Sequence, residues 1–481
     1  MSGINCKLRC RQVKTSAKLS AVTELFASKD LCSILGGNAS QDKANRFSTW
    51  ACDPKETFNF KYGDYAPFEK LKAVVDKYAL AGGKDKSLPE GVFCGGWIGY
   101  FSYDLDQYIE KVPKTAVDDL GVDLIRLCFY DRCVCYDHKE KKWHLIALDI
   151  EGDGETAENK LNQLGVMLTK AESICISEPV AADVEGVDVS GIDCNMTKAS
   201  YLHSLAKIRR YIYDGEVYQI NFSQRFECDY TTKPVELYHW QNEYNPSPYA
   251  AFIDAGDFSI VSTSPEMFLT INGNVISTKP IKGTRPRVSN CPGAEQINEA
   301  NFAELVESEK DQAELNMIID LERNDLTRVC KYGTIKVTQP RTIEQYPTVF
   351  HAVATVQGQL HKDMDFCDVL KATFPGGSIT GAPKIRSMEI IDKLEPTQRS
   401  VYTGSIGFIG VDGSVCLNIA IRTVIIKDQR ACVQTGGGIV ADSDAQDEWD
   451  ETITKARALL AGIVAVQNKN EKTKKTKTKS T

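Results

Sequence analysis

The feature that most constrains the fold is a long alternating run near the C-terminal end of the chain. From Gly404 to Gly438 the sequence reads GSIGFIGVDGSVCLNIAIRTVIIKDQRACVQTGGG, in which apolar residues alternate with polar residues or Gly. Asp-Gly and Lys-Asp pairs interrupt the run where tight turns would reverse the chain. The pattern predicts a meander of antiparallel strands.

Helical patterns flank this meander. Apolar residues recur at helical spacing between about Ala294 and Cys330, which predicts one long or broken helix, and again from Asp442 to Val466. Thr197 is a suitable cap for a helix through Tyr213, which Asp214-Gly215 would end. Antiparallel sheet with helices packed outside is an α+β architecture.

Composition divides the chain into three regions. The segment from Ser177 to Met196 carries five acids and no Lys or Arg, and it is the strongest candidate for an internal boundary. We therefore predict a strand-rich N-terminal region at 1–190 and a larger domain at 195–465. Residues 466–481 are rich in Lys and Thr and predict a disordered tail.

Charge and apolar patterning exclude some classes of function. The net charge is −8 although the last fifteen residues are basic, so the body repels phosphates and no nucleic-acid binding is expected. The apolar stretch from Ala458 to Val466 is too short to span a membrane. The sixteen Cys are scattered without a C-x-x-C pair, which favours reduced thiols, no zinc site and a cytoplasmic location. The basic N-terminus has no cleavage pattern typical of a transit peptide.

A Lys between apolar and Gly residues is the first candidate for chemistry. Residues Pro280 to Arg287 read PIKGTRPR, so Lys282 precedes two Arg closely. An amine that is crowded by guanidinium groups and shielded from water favours its neutral form, which a nucleophile needs. The alternative is a solvated Lys in a basic loop.

Two predicted helices each carry acids three residues apart. Asp311 pairs with Glu314, and Glu448 pairs with Glu451, which Lys455 follows at i+4. Spacing of three puts both carboxylates on one helix face, and two such faces across a cleft would supply hard oxygen ligands for Mg²⁺. Solvated acidic faces are the alternative.

Gly-rich segments are candidate anion sites. Pro375 to Lys384 reads PGGSITGAPK, which lacks the Gly-Lys-[Ser/Thr] of a P-loop and therefore does not indicate an ATP site. Thr435 to Ser443, TGGGIVADS, offers a second possible nest of backbone N–H groups. Both could equally be hairpin turns. His351 lies in an apolar segment, where a lone His is usually a satisfied core residue.

These segments occur together, and in this order, in one known family. The stretch from about Thr197 to Ala461 resembles the chorismate-binding domain of the chorismate-utilising enzymes, which include the anthranilate, aminodeoxychorismate, isochorismate and salicylate synthases. The matching motifs are SPEMF (Ser264 to Phe268), PIKGTRPR, DQAELNMIIDLERNDLTRVC (Asp311 to Cys330), PGGSITGAPKIRSMEIID (Pro375 to Asp392), YTGSIGF (Tyr402 to Phe408), IAIRT (Ile419 to Thr423), GGGIVADS (Gly436 to Ser443) and DEWDETITKA (Asp447 to Ala456). GGWIGYFSYDL, from Gly95, extends the likeness upstream.

The resemblance implies a fold and an activity. The implied fold is that of anthranilate synthase component I, with two large, mainly antiparallel sheets packed together and helices outside. Lys in PIKGT and the segment YQIN (Tyr218 to Asn221) look like the aminodeoxychorismate branch, whereas anthranilate synthases usually have Ala in PIAGT. The implied reaction is conversion of chorismate and ammonia to 4-amino-4-deoxychorismate, a transferase step toward para-aminobenzoate and folate. The alternatives are an anthranilate synthase, which releases pyruvate, and a catalytically silent sensor of chorismate or tryptophan.

Roles for single residues also follow from the resemblance. Lys282 would add at C2 of chorismate as the 4-hydroxyl departs with help from Glu266 as an acid, and His351 would lie near the ring. Mg²⁺ would be held by Asp311, Glu314, Glu448 and Glu451, with Asp311 acting through a water. The implied substrate contacts are Thr284, Ser378, Tyr402, Arg422, Gly436, Gly437 and Gly438.

Two further expectations concern other ligands. The sequence contains no glutaminase motif, so a separate glutamine amidotransferase subunit is expected to supply ammonia. Many relatives bind tryptophan, and the motif NPSPY, with Asn245, Pro246 and Tyr249, is a possible tryptophan pocket. The loop SILGGN (Ser33 to Asn38) has Gly-Gly where relatives place polar contacts, so tryptophan binding stays open.

Overall fold

The computed structural model describes residues 3–37, 46–83, 88–182, 184, 186–188, 192–289 and 291–478, with side chains through residue 470. The strands are β1 Ile4–Val13, β2 Ser33–Leu35, β3 Phe47–Ala51, β4 Glu56–Phe60, β5 Tyr78–Leu80, β6 Gly96–Phe101, β7 Ile125–Tyr130, β8 Arg132–Asp137, β9 Lys142–Ile150, β10 Asp193–Cys194, β11 Gln219–Asp229, β12 Tyr249–Asp254, β13 Phe258–Ser264, β14 Met267–Asn272, β15 Val275–Lys279, β16 Ile281–Pro286, β17 Lys336–Gln345, β18 Val349–Gln359, β19 Gly381–Ala382, β20 Ser405–Gly410, β21 Val415–Asn418, β22 Thr423–Lys427 and β23 Arg430–Ile439. The helices are α1 Leu19–Ala27, α2 Pro67–Val75, α3 Ala157–Ala171, α4 Lys198–Tyr213, α5 Pro234–Tyr244, α6 Ala294–Glu307, α7 Glu309–Thr327, α8 Phe366–Thr373, α9 Lys384–Leu394 and α10 Ala445–Thr478, with short 3-10 helices at Tyr103–Tyr108 and Gly377–Ile379.

The strands form two large sheets. Thirteen strands follow the order β10-β11-β23-β22-β13-β12-β2-β3-β8-β9-β1-β5, with β19 added to β11. Ten strands follow the order β16-β18-β15-β14-β21-β20-β6-β7-β4, with β17 added to β18. Among the described strands, only β1 and β5 form a parallel ladder. The predicted meander is present as β20 to β23, and the prediction of an α+β fold with two mainly antiparallel sheets is confirmed.

Apolar side chains fill three layers. One core lies between the sheets, where residues such as Ile98 and Ile406 of the smaller sheet meet Ile146 and Ile260 of the larger one. Helices α1, α3, α5 and α10 cover the outer face of the larger sheet. Helices α2, α7 and α8 cover the outer face of the smaller sheet. Both sheets are therefore buried on both sides over much of their area.

Both sheets run across the predicted boundary between residues 190 and 195. In the larger sheet β2 pairs with β12, with Leu35 opposite Ala251. In the smaller sheet β6 pairs with β20, with Phe101 opposite Ser405. The boundary falls between α3 and β10, but the regions on either side of it share two continuous sheets.

Hydroxyl side chains set the starts of two important helices. Thr197 accepts a hydrogen bond from the backbone N–H of Ser200 at the start of α4, as predicted. The helical pattern from Ala294 to Cys330 is broken at Ser308, which ends α6 and whose side chain accepts from the backbone N–H of Asp311. The break places Asp311 in the first turn of a new helix.

The last helix extends into the region for which a disordered tail is predicted from residue 466. Helix α10 continues to Thr478. The Gln467 amide donates to the Asp229 carbonyl at 2.7 Å, and the Asn470 amide donates to Glu236 at 2.8 Å. The first residues of the region therefore contact the body of the protein, and the disorder of the tail stays a prediction.

Within the described residues, none of the helices combines the length and the apolar character that crossing a membrane requires.

Candidate active site

Lys282 lies where a strand is bent toward helix α7. The pairing of β16 with β18 shifts register between Ile281 and Thr284, so Lys282 and Gly283 form a bulge. Gly283 has a φ of +90°, and a Cβ built there would lie 2.9 Å from the side chain of Asp311. Glycine is therefore required for α7 to approach the strand that carries Lys282.

The surroundings of Lys282 favour its neutral form. Burial lowers the pKa of Lys282, although the carboxylates of Glu314 and Glu266 oppose the shift. The nearby ammonium of Lys455 contributes a smaller decrease. The direction and the shielding from water agree with the sequence prediction, but the nearby positive charge is that of Lys455 and not of the two Arg of PIKGTRPR.

Those two Arg have other partners. Arg285 forms an ion pair with Asp311 at 3.1 Å and another with Glu304 at 2.9 Å. Arg287 donates to the Tyr346 carbonyl at 3.1 Å. Neither guanidinium is among the charges that shift the pKa of Lys282.

Glu266 is a buried acid that faces Lys282. Burial raises the pKa of Glu266, while a hydrogen bond with Ser378 and the charge of Lys282 oppose the increase. Its backbone N–H donates to Ser264 Oγ, whose hydroxyl donates to the Ile419 carbonyl. The backbone of Glu266 is thus fixed by Ser264, and Ser378 holds its carboxyl, which is suited to the role of a general acid.

Helix α7 supplies one of the predicted carboxylate pairs. Burial raises the pKa of Glu314, and the charge of Lys282 opposes this increase. Asp311 faces the backbone of Gly283 and is paired with Arg285. Both acids therefore lie beside the strand that carries Lys282, as the sequence spacing predicted for one helix face.

Helix α10 supplies the other pair. The hydroxyl of Ser443 donates to Glu448 Oε1 at 2.6 Å, while Glu448 Oε2 is buried without a hydrogen-bond partner among the described residues. Burial raises the pKa of Glu448. Burial would also raise the pKa of Glu451, but the ammonium of Lys455, 2.6 Å away, outweighs it and lowers that pKa. Charge interactions connect Glu451 with Lys282 and Glu314.

The donor chemistry of these four residues fits a hard divalent cation. All four offer carboxylate oxygens, and the unpartnered oxygen of Glu448 is a coordination position that the protein itself leaves open. In the described part of the chain, no three His, Cys, Asp or Glu side chains are spaced as a ready-made metal site. Asp311 and Glu451 instead neutralise Arg285 and Lys455, so a metal would compete with these cations. The Mg²⁺ assignment stays a prediction.

The Gly-rich end of β23 is packed against functional side chains. A Cβ at Gly437 would lie 2.8 Å from the Glu448 carboxylate. A Cβ at Gly438 would lie 2.5 Å from the Gln219 amide nitrogen and 3.4 Å from Lys282 Nζ. The absence of side chains on this segment therefore leaves the backbone exposed to whatever the site binds.

Two polar side chains of β11 enter the same space, and the sequence reasoning did not assign them to the site. Gln219 is fully buried, and neither its amide nitrogen nor its oxygen has a hydrogen-bond partner among the described residues. The oxygen of Asn221 is also unpartnered, and it lies 3.1 Å from a Cβ built at Gly436. YQIN had signalled a family branch, but alternation along a strand could have placed both residues on one face. Unsatisfied buried amides indicate groups that a ligand would satisfy.

Arg422 is a candidate anion contact. Its backbone adopts a φ of 49°, and burial lowers the pKa of its guanidinium. Within the described residues no carboxylate forms an ion pair with Arg422, and a buried guanidinium without a counterion favours an anionic ligand. Burial, reinforced by the charge of Arg422, also lowers the pKa of His351 to about 3.

The remaining predicted contacts lie around this centre. Thr284 is hydrogen-bonded to His351 Nδ1 at 2.8 Å, while His351 Nε2 has no hydrogen-bond partner in the described part of the chain. Ser378 lies in the 3-10 helix that faces Glu266. Tyr402 is buried and stacks near Arg399, a residue that the sequence reasoning did not single out. His351 is thus a neutral buried ring beside the site, with one nitrogen free to accept or donate.

The possible tryptophan pocket is only partly assembled. Tyr249 lines a cavity of about 400 Å³ between the two sheets, together with Gly36 and Asn418. Asn245 instead caps α5, where its amide donates to Gln241 and to the Ala458 carbonyl. Neither Asn245 nor Pro246 lines the cavity, and Asn38 of the SILGGN loop lies outside the described residues.

Comparisons with known proteins agree on one family. The chorismate binding enzyme family matches residues 37–461. Aminodeoxychorismate synthase component 1 from Bacillus subtilis is 39% identical over 372 residues, which cover 77% of each chain. Anthranilate synthase component 1 from Pseudomonas putida is 36% identical over 415 residues, 84% of this chain and 81% of the relative. The crystal structure of anthranilate synthase component I from Streptococcus pneumoniae is similar with a TM-score of 0.73 and 32% identity, over 87% of this chain and 93% of that one.

Proposed function

Because the chain belongs to the chorismate-binding enzymes, we propose that it converts chorismate and ammonia to 4-amino-4-deoxychorismate. The observation that carries the proposal is Lys282. A half-buried amine whose pKa is lowered, beside an acid and a candidate anion site, is suited to covalent attack on chorismate, a dicarboxylate with a hydroxyl leaving group. Similar identities to synthases of both kinds do not separate the two products, and this side chain is what favours aminodeoxychorismate in the proposal.

The residues of the site fit the two steps of this reaction. The Lys282 amine forms a bond to C2 of chorismate, the ring double bonds shift, and the C4–O bond breaks. The hydroxyl leaves as water after it takes the proton of Glu266. Ammonia then forms a bond to C4, the double bonds shift back, and the bond between C2 and Lys282 breaks. The amine recovers a proton as it leaves, so chorismate and ammonia give the product and water.

Substrate binding is assigned to polar groups around Lys282, of which the amides of Gln219 and Asn221 have no hydrogen-bond partner among the described residues. Arg422 and the backbone of Gly436, Gly437 and Gly438 would hold the enolpyruvyl carboxylate, with Tyr402 beside them. Thr284 and Ser378 would contact the substrate near His351 and Glu266. The amides of Gln219 and Asn221 lie beside Gly438 and Gly436 and would gain hydrogen-bond partners from substrate or ammonia.

A divalent cation would add charge to this arrangement. Asp311, Glu314, Glu448 and Glu451 would hold Mg²⁺, which supplies Lewis-acid polarisation of the ring carboxylate when bound. Arg285 and Lys455 hold Asp311 and Glu451 in place by ion pairs.

Ammonia requires a source. A separate glutamine amidotransferase subunit fits this requirement, because no motif of such an enzyme was found in the sequence. We propose that free ammonium replaces the subunit at high concentration, which allows the chain to be assayed alone.

The test is the product formed by the wild-type chain and by Lys282→Ala. With chorismate, Mg²⁺ and ammonium at mildly alkaline pH, we expect the wild type to form aminodeoxychorismate without pyruvate. Lys282→Ala removes the nucleophile, so we expect loss of this product or diversion to anthranilate and pyruvate, with the fold retained. Product masses and pyruvate are measured after chromatography.

A second Lys supplies the matched control. Lys279 lies three residues earlier and forms an ion pair with Glu344. Lys279→Ala should leave the product unchanged. Anthranilate with pyruvate from the wild type would contradict the proposal and identify the anthranilate synthase activity instead. Unchanged aminodeoxychorismate output from Lys282→Ala would exclude the covalent role.

A further inference from the structure

The segment between α9 and β20 contains a buried ion pair outside the set of reacting groups. Glu395 and Arg399 are 2.7 Å apart, and their side chains are 2% and 1% exposed. Replacing a buried ion pair by apolar residues is often neutral or stabilising, so stability alone does not explain such a pair. Its contacts indicate another role.

Arg399 uses all five of its N–H donors. Nε and Nη2 donate to the two oxygens of Glu395 at 2.9 and 2.7 Å. Nη2 also donates to the Asn221 carbonyl at 2.6 Å, and Nη1 donates to the Ile379 carbonyl at 3.0 Å. The fifth hydrogen bond, at 3.3 Å, is to Thr403 Oγ1. Only the planar fork of Arg can make these contacts at once.

Glu395 extends the same network to β11. Both the backbone N–H and the hydroxyl of Ser223 donate to Glu395 Oε1, at 2.9 and 2.8 Å. Ser223 and Asn221 pair with Gly436 and Gly438 across the ladder of β11 and β23. The ion pair therefore fixes the strand that carries the unsatisfied amides and supports the Gly-rich strand.

The contacts of Arg399 with Ile379 and Thr403 reach two further segments of the site. Ile379 follows Ser378, and Thr403 follows Tyr402. The Arg399 guanidinium lies 6.0 Å from the ring centre of Tyr402. Ser400 and Thr403 have φ of 55° and 59°, a left-handed conformation that non-glycine residues keep only when their surroundings enforce it. Arg399 donates to Thr403 and so helps to enforce it.

We infer that the Glu395–Arg399 ion pair is the positioning unit of the chorismate site. It holds three backbone segments, at Asn221, Ile379 and Tyr402–Thr403, at fixed spacing. The inference rests on the proposed use of these segments to bind substrate. It assigns neither residue a contact with the reacting atoms.

The first test compares Arg399→Lys with Arg386→Lys. Lys keeps the charge but cannot reach three segments from one nitrogen, so we expect kcat/KM for chorismate consumption to fall by roughly 100-fold, mainly through a higher KM, with unchanged far-UV circular dichroism. Arg386 is the control, because its ion pairs with Glu216 and Glu389 are half-exposed. Arg386→Lys should stay within about twofold of the wild type.

Chemical rescue separates positioning from general stability. Arg399→Ala leaves a cavity next to the unpaired Glu395 carboxylate, and millimolar guanidinium should restore at least part of the lost activity, whereas equal NaCl should not. A small cavity beside Arg399, whose lining includes Asp104 and Asp106, offers an approach for the cation. Activity that falls only in proportion to folded protein, without rescue, would overturn the inference.

A milder variant keeps the test decisive if both Arg399 variants fail to fold. Thr403→Val preserves the shape of the side chain and removes one of the five contacts, whereas Thr403→Ser retains the hydroxyl. We expect KM for chorismate to rise several-fold in the former and to stay near the wild-type value in the latter. Equal KM values, or a folded Arg399→Lys within twofold of the wild type, would contradict the inference. These readouts follow chorismate consumption, so failure of the proposed function, seen as another product from the wild type, is distinguishable.

Discussion

At the scale of single residues, Lys282 and Glu266 are two charged groups whose burial shifts their pKa values in opposite directions. Burial lowers the pKa of Lys282 and raises that of Glu266, and in both cases it outweighs their attraction for each other. Burial therefore shifts the amine toward its neutral form and the acid toward its protonated form. The two shifts are in the directions that a nucleophile and a proton donor need.

This pair predicts a bell-shaped pH profile for kcat/KM. Activity rises with pH as Lys282 loses its proton and falls as Glu266 loses its proton. In Glu266→Gln the decrease in activity at high pH should disappear. The maximum rate should fall by about 10²- to 10⁴-fold because the leaving hydroxyl loses its acid. Initial rates at several pH values test this. A two-limbed profile in Glu266→Gln would contradict the assignment.

His351 predicts a pH effect on stability. Burial, with the charge of Arg422, lowers its pKa to about 3 in the folded state, whereas an unfolded His titrates near 6.5. Between these values the unfolded chain binds more protons, so the stabilisation present above pH ~6.5 decreases as the pH falls, by up to ~1.4 kcal/mol per pH unit.

Substitution of His351 should flatten this dependence. We expect the free energy of unfolding of His351→Gln to decrease less between about pH 6.5 and pH 4.5 than that of the wild type. Urea unfolding at several pH values measures it. The half-exposed His361, which forms an ion pair with Asp363, is the control position, and His361→Gln should retain the wild-type slope. Equal slopes in all three proteins would exclude His351 as the cause.

At the scale of elements, the glycines of β23 differ in what surrounds them. A Cβ at Gly438 would meet the flexible amide of Gln219 and the amine of Lys282, whereas a Cβ at Gly436 would lie 2.6 Å from the Phe222 carbonyl in the backbone of β11. A side chain can move aside, but a paired strand cannot without loss of its ladder. Substitution of Gly438 should therefore affect mainly activity, and substitution of Gly436 mainly stability.

We expect Gly438→Ala mainly to lower activity and Gly436→Ala mainly to lower stability. Gly438→Ala should raise KM for chorismate by roughly tenfold with a near wild-type melting temperature, since it displaces site residues only. Gly436→Ala should lower the free energy of unfolding by about 1–3 kcal/mol through overpacking. Kinetics and thermal unfolding of the two variants decide between these outcomes, and a reversed pattern would contradict them.

Local elements could be predicted from the sequence, but their neighbours could not. Alternation and turn residues identified β20 to β23, and the Thr197 hydroxyl identified the start of α4, because these signals act within a few residues. The neighbours of Lys282 come from α7, α10 and β11, and only the tertiary fold brings them together. Shielding from water was predicted for Lys282, but the positive charge that adds to its pKa decrease was for this reason assigned to Arg285 and Arg287 and not to Lys455. The residues next to Arg399 in the sequence likewise gave no indication of its role in the site.

At the scale of the whole molecule, the shared sheets predict what cleavage at the boundary would do. Cleavage at a protease site introduced between residues 183 and 191 would break the backbone into two pieces. The pairs β2 with β12 and β6 with β20 would still join these pieces. We expect the cleaved pieces to elute together from a sizing column in native buffer and to separate only in denaturant. A fragment beginning at residue 192 and expressed alone should lack cooperative unfolding. Separation in native buffer would contradict this prediction.

The same pairings have a consequence for synthesis on the ribosome. Strand β2 cannot complete its pairing until β12 has been synthesised, since the partner of Leu35 lies more than two hundred residues later in the chain. Strand β6 likewise pairs with β20, and the partner of Phe101 lies about three hundred residues later. During translation each therefore presents an open strand edge, the kind of surface that pairs with other chains. Such high contact order slows folding. The nascent protein would thus depend on chaperones until its last strands emerge, and its yield would respond to the speed of translation more than that of a protein with local pairings.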